Sequence, residues 1–211
     1  MSKSTAFCTF LFLITAAQPA PAFTLRHLGL RGGAIEANLR YDFQGLGTYA
    51  TATEWGPAMG VFAEVAPLDT PMLTLEVEAL FTRRIHVEHY AALASPGGSP
   101  YSRDFPLAYL SFPLLLRLRL IPRPVSPYIQ VGPSLDVKLD GGGTPILDAL
   151  EGRAASFLFG AGVDFLVGRR RVEGELRYGH GLTHSGPAPA PLDAIRNATT
   201  HSMLILVGVG F

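Results

Sequence analysis

The sequence predicts an all-β protein, an eight-stranded antiparallel up-and-down transmembrane β-barrel. Three observations carry that expectation. Apolar and polar residues alternate with period two from Leu25 to Phe211, which marks strands with two unlike faces. The connections between the predicted strands are alternately long and short. The polar face is crowded with glycines, which weaken a strand facing water, and it mixes charges of both signs, as a sealed lumen in which they pair would.

Composition points the same way. Charged residues make up 16 % of the chain and hydrophobic residues 48 %, against roughly 25 % charged in a typical soluble domain. Lys3 and Lys138 are the only lysines, so nearly all basic residues are arginines. Arginine suits enclosed, multiply hydrogen-bonded ion pairs better than lysine does. Basic and acidic residues balance at 17 each with no basic cluster, which argues against a nucleic-acid partner.

Residues 1–22 are expected to be a signal peptide and residues 23–211 the barrel domain. Lys3 supplies the positive start, Ala6 to Ala17 a short apolar stretch, and Ala20-Pro21-Ala22 a cleavage site of small residues. That stretch falls short of the roughly 20 apolar residues a spanning helix needs, and no longer run follows it. The single cysteine, Cys8, lies inside it. The mature part would therefore hold neither disulfide nor catalytic thiol.

The alternation predicts strands over Leu25–Tyr41, Gly56–Ala66, Pro71–His86, Phe105–Ile121, Pro127–Leu139, Ala155–Val167, Arg171–Leu182 and Thr200–Phe211. Each is long enough for a tilted crossing, which takes about 9–11 residues. Long connections follow the first, third, fifth and seventh strands: Asp42–Trp55, Val87–Asp104, Asp140–Ala154 and Thr183–Thr199. Short ones follow the second, fourth and sixth: Pro67–Thr70, Pro122–Ser126 and Gly168–Arg170. Long outer loops and tight periplasmic turns would put both termini in the periplasm.

The two faces then separate lipid from lumen. One face of the fourth strand reads Leu110, Phe112, Leu114, Leu116, Leu118, while the other holds Ser111, Arg117 and Arg119. Gly60, Gly132, Gly160, Gly162, Gly208 and Gly210 fall on the polar faces. An eight-stranded barrel is just wide enough for side chains to fill, so small residues must alternate with large ones inside. The expected lumen charge network sets Glu36, Glu64, Glu76, Glu78, Asp136, Asp164, Glu173 and Glu175 against Arg40, Arg117, Arg119, Lys138 and Arg177. Buried charges must pair, and no arginine or lysine is expected at the centre of the lipid face. Tyr128, Phe165 and Phe211 are expected in an inner aromatic girdle. Tyr41, Trp55, Phe81, Tyr109, Phe157 and Tyr178 are expected in an outer one. Pro113 and Pro133 interrupt strands and are expected at bulges or bends.

Four segments carry a family likeness: Tyr109 to Arg117 (YLSFPLLLR), Pro127 to Ser134 (PYIQVGPS), Phe159 to Val163 (FGAGV) and Glu175 to Gly179 (ELRYG). In order and spacing the chain resembles the PorT-like outer-membrane β-barrel domain family of Bacteroidota-type bacteria. The resemblance implies an eight-stranded barrel in the outer membrane and no shared activity. It also implies that Phe211 is a C-terminal assembly signal read by the barrel-assembly machinery.

Two clusters invite chemistry. His86, Glu88 and His89 could offer two metal ligands, with no third in sight. His180, His184-Ser185 and His201-Ser202 gather at the outer rim. Neighbouring strand residues point to opposite faces, so neither His-Ser pair can be a dyad by itself. The expectation is a monomeric, non-enzymatic envelope scaffold or interaction module without a cofactor. Its partners would be outer-membrane lipid, lipopolysaccharide, the assembly machinery through the last strand, and an envelope protein of unknown identity. A narrow channel for ions or small solutes, and an outer-leaflet lipid hydrolase, are the alternatives.

Overall fold

The computed structural model describes residues 23–43, 47–50, 52–67, 70, 72–90, 101–121, 124–141, 153–168, 170–182 and 195–211. These hold ten strands: β1 (Thr24–Phe43), β2 (Gly47–Ala50), β3 (Ala52–Glu54), β4 (Gly56–Ala66), β5 (Leu73–Tyr90), β6 (Tyr101–Arg119), β7 (Val125–Gly141), β8 (Arg153–Val167), β9 (Arg170–Gly181) and β10 (Ile195–Gly210). β1 pairs with β4 on one side and with β10 on the other, which closes the sheet. β2 pairs with β1, while β3 and β4 both pair with β5, so β2, β3 and β4 share one stave. The result is a closed eight-stranded antiparallel β-barrel in which every stave neighbours the staves next to it in sequence. The expected strands match the observed ones within a few residues, except on the side of the long loops. There β5 and β6 keep pairing to Tyr90 and Tyr101, past the apolar section that marks them in the sequence.

The barrel is inside-out. Outward residues such as Leu30 and Val207 are 57 % and 58 % exposed, whereas Arg117 is 0 % exposed. This reverses the usual distribution, in which arginine and glutamate are almost never fully buried unless paired. The outward apolar side chains run along every stave, from Leu28 and Leu30 through Val77, Leu114, Leu116 and Ile129 to Ile205. Gly168 turns β8 into β9 with a positive φ of 64°, a conformation an L-residue adopts only under strain.

Three of the expectations above need correction. Register shifts fall at Leu25/His27, Asp42/Phe43 and Ala108/Tyr109, not at the prolines. Two rungs are missing on one side of each proline, Glu78/Pro113 with Ala79/Phe112 and Leu114/Pro133 with Leu115/Gly132. The ladder then resumes in the same register, and Pro113 still pairs with Ser134 and Pro133 with Phe157. Tyr109 and Tyr128 are 6 % and 1 % exposed and face the lumen, so neither belongs to a girdle. Each lies under an arginine instead: Arg84 sits 4.4 Å from the Tyr109 ring centre and Arg117 sits 4.0 Å from that of Tyr128. Phe81, Phe157, Phe165, Tyr178 and Phe211 alternate onto the outer face, and Trp55 is exposed just before β4.

Candidate functional site

The lumen is built in two halves. In the half nearer the termini most inward positions are charged, aromatic or glycine, with Thr74, Ser126 and Gln130 among the polar ones. Arg31 of β1 reaches Glu78 at 2.6 Å and Glu76 at 3.1 Å on β5, and also bonds Glu173 on β9. Arg117 of β6 meets Glu76 at 2.7 Å and Glu173 at 2.9 Å. Arg177 of β9 donates to Glu78 at 2.5 Å and to the neighbouring Glu175. Gln130 connects two of these groups, accepting from Arg117 Nε at 3.1 Å and donating to Glu175 at 2.6 Å. The Tyr128 hydroxyl also donates to Glu175, at 2.9 Å. Nearer the mouth, Arg119 binds Glu64 at 2.6 Å and Asp164 at 2.9 Å, and Arg171 binds Glu64 as well.

Glycine makes the room for this layer. A Cβ on Gly162 would fall 2.5 Å from the Tyr128 hydroxyl and ring, and one on Gly208 would fall 2.6 Å from Glu173 Oε1. The side chains of Arg31, Arg117, Arg177, Glu76, Glu78, Glu173 and Glu175 are between 0 and 2 % exposed. Pore water would touch them, so this layer closes the lumen. Below it a polar cavity of about 210 Å³ opens at the mouth, lined by Arg26, His27, Glu64, Thr74, Arg119, Ser126, Asp164 and Arg171 among others.

The other half is mostly neutral. Ile35, Ala58, Leu80, Leu204 and Leu206 form a buried apolar cluster. Beside it Thr82, Ser111, Ser134, Ser156 and Ser202 line a pocket of about 20 Å³, with Arg84 and Asp136 paired at 2.6 Å.

Of the charges expected in the lumen, Glu64, Glu76, Glu78, Arg117, Arg119, Asp136, Asp164, Glu173, Glu175 and Arg177 are buried inside it. Lys138 alternates inward at the far end of β7. Glu36 and Arg40 correct the expectation. Glu36 pairs with the exposed Met203 and Arg40 is itself exposed, so both face outward. The bulge at Arg26 shifts which face of β1 turns in, and it brings Arg31 into the lumen, where no lumen residue was expected from that strand besides Glu36 and Arg40. Arg84 and Arg171 were also missed. In both cases the alternation with Glu76, Glu78, Glu173 and Glu175 on the same strands already pointed inward.

At the outer end of the staves the outward face turns polar. Along β9 Leu176 and Tyr178 give way to His180, and along β10 Ile205 and Met203 give way to His201. Phe81 is followed by Arg83 on β5, and Ala155 by Arg153 on β8. The two histidines are directly paired, with ring centres 4.9 Å apart, and His201 Nδ1 lies 2.7 Å from the Tyr178 hydroxyl. Ser202 turns inward beside Gly179, away from both rings. His184 and Ser185 lie outside the described residues, as do the side chains of His86, Glu88 and His89. Among the described residues no group of three or more His, Cys, Asp or Glu could hold a metal ion.

A closed barrel with oily staves and an ion-paired interior defines the class, and a solved outer-membrane protein shares the fold. The outer membrane protein OprG from Pseudomonas aeruginosa aligns over 87 % of this chain and 94 % of its own, with 12 % identity and a TM-score of 0.52. Neisserial surface protein A aligns over 87 % and 97 % with 16 % identity and a TM-score of 0.45. Ail, the attachment invasion locus protein of Yersinia pestis, aligns over 88 % and 98 % with 12 % identity and a TM-score of 0.42. No family model matches the chain, and no curated protein matches it in sequence.

Proposed function

We propose that this chain is an integral outer-membrane barrel with a closed lumen, a non-enzymatic scaffold that displays its long loops outside the cell. The observation that carries the reading is the pair of exchanged surfaces. Leucine, valine and isoleucine face out around the barrel, while seven carboxylates and six arginines face in (Glu64, Glu76, Glu78, Asp136, Asp164, Glu173, Glu175; Arg31, Arg84, Arg117, Arg119, Arg171, Arg177). In water the outward face would be an apolar patch far beyond the few hundred Å² that soluble monomers tolerate. In a bilayer it supplies the lipid-facing band, about 25 Å tall, that such barrels require. Cleavage after Ala22, assembly through Phe211 and a monomeric state belong to this reading. The PorT-like motifs support a relation to that family, with a loop-bound envelope protein as partner.

Two measurements test it. Expressed with its first 22 residues, the protein should fractionate with the outer membrane and shift on electrophoresis when boiled. Recovery as a water-soluble monomer without detergent overturns the membrane reading. In planar bilayers the reconstituted protein should show no discrete conductance steps. Reproducible steps would favour the narrow channel and displace the scaffold.

A further inference from the structure

The arginines of this barrel divide by face. Every arginine fully inside the lumen has a carboxylate partner. Arg40 and Arg153 face outward, are exposed, and have no ion-pair partner among the described residues. An exposed cation needs no partner in water. These two, however, stand beyond the apolar section of their staves, Arg153 directly after Ala155 and Arg40 after Glu36 and Asn38, where the headgroups of a bilayer would lie.

The strand pairing places them on one side of the barrel. Arg153 is on β8 and Arg40 on β1, with β9 and β10 between them. His180 and His201, paired across β9 and β10, lie one row below the two arginines: His180 faces Phe157, four residues from Arg153, and His201 faces Asn38, two residues from Arg40. Three strand spacings and a two-residue offset along the strands separate the two arginines, roughly 16 Å at about 4.8 Å per spacing and about 3.3 Å per residue. If the Tyr178 hydroxyl donates to His201 Nδ1, the ring keeps its proton on Nε2, free to donate outward. Of the carboxylates on this side, Glu36 accepts a hydrogen bond from Thr53, and Asp140 is exposed on β7, three residues beyond the register partner of Arg153. On the opposite side Arg83 is flanked by exposed carboxylates on both neighbouring strands, Glu54 on β3 and Asp104 on β6. At the other end of the barrel Arg170 lies over the Phe211 ring and Arg171 turns inward to Glu64.

We infer that the outer end of the β8–β9–β10–β1 face binds the headgroup of a bis-phosphorylated outer-leaflet glycolipid. Arg40 and Arg153 would each take one phosphate, with the His180–His201 pair between them. Two guanidiniums a strand-triplet apart match two phosphates on one headgroup better than a single phosphate. Guanidinium–phosphate hydrogen bonds are charge-assisted and often bidentate. The acyl chains of such a lipid would continue down the apolar staves formed by Phe157, Tyr178, Met203 and Ile205.

This inference rests on the membrane reading above, and the experiment separates the two. The mature barrel is reconstituted into phosphatidylcholine vesicles doped with diphosphoryl lipid A, monophosphoryl lipid A, or the same glycolipid stripped of phosphate. Retained glycolipid is counted by native mass spectrometry. The wild type should retain the diphosphoryl form best, the monophosphoryl form less, and the phosphate-free form at background. Inorganic phosphate should compete only weakly. The Arg40→Gln/Arg153→Gln variant should lose about fivefold per arginine, and Arg40→Lys/Arg153→Lys should recover part of it. Arg83→Gln should change retention less than twofold. Equal retention of the three glycolipids by the wild type overturns the inference whatever the variants do, and so does a folded double Gln variant that binds as well as the wild type. A barrel that never enters the vesicles overturns the membrane reading instead.

Discussion

The two halves of the lumen solve one packing problem by opposite means. Both must fill a narrow cylinder with side chains from eight staves. The half near the termini uses arginines that each hold several carboxylates on different staves, so that Arg31 joins β1 to both β5 and β9. The other half uses Ile35, Leu80 and Leu204, with the ion pair Arg84–Asp136 beside them. A shared network and an isolated pair have different energetics. Removing one member of a shared network strands several opposite charges together, while an isolated pair can leave both at once.

Four tests, one with its own control variant, can break or sharpen that contrast. The largest effect is expected for Arg117→Met, which leaves Glu76 and Glu173 with an uncompensated buried charge. It should destabilise the barrel by about 3–5 kcal/mol, read from urea unfolding in vesicles. A loss under about 1 kcal/mol would show that the lower network is slack. In the neutral half, Leu80→Ala should cost about 2–5 kcal/mol through the cavity it leaves. A smaller loss would mean that the apolar cluster collapses around the gap. Gly162→Ala tests the fit of the charged half. Its methyl would meet Tyr128 and the Gly174 carbonyl, at an expected cost of about 1–3 kcal/mol. Gly174→Ala, which meets nothing within 4 Å, serves as its control. The smallest effect belongs to Arg84→Met/Asp136→Leu. Taking out both partners of an isolated pair should be nearly neutral, within about 1 kcal/mol, or mildly stabilising. A large loss there would erase the distinction between the two halves.

Much of this architecture was legible in the sequence, and the limits have a physical pattern. The strands and their faces could be read wherever alternation ran unbroken, as in β6, where Leu114, Leu116 and Leu118 oppose Arg117 and Arg119. The reading failed on β1, because the bulge at Arg26 shifts the face of every residue after it. A single extra residue reverses a period-two pattern, so Glu36 and Arg40 exchanged places with Arg31. Tyr109 and Tyr128 failed for another reason. An aromatic ring fits a lipid interface and an arginine face about equally well, and only the arginine's position decides between them.

Alternation, glycine placement and loop rhythm were enough by themselves to determine an eight-stranded barrel with oil outside and charge within, because the pleat ties each residue's face to its neighbour's. Which arginine meets which glutamate was left to the tertiary structure. Those partners lie up to 142 residues apart, as for Arg31 and Glu173, and only the closing of β1 on β10 brings their staves around one axis. The same closure sets the outward-facing Arg40 and Arg153 on one side of the barrel, which no local pattern in the chain can specify.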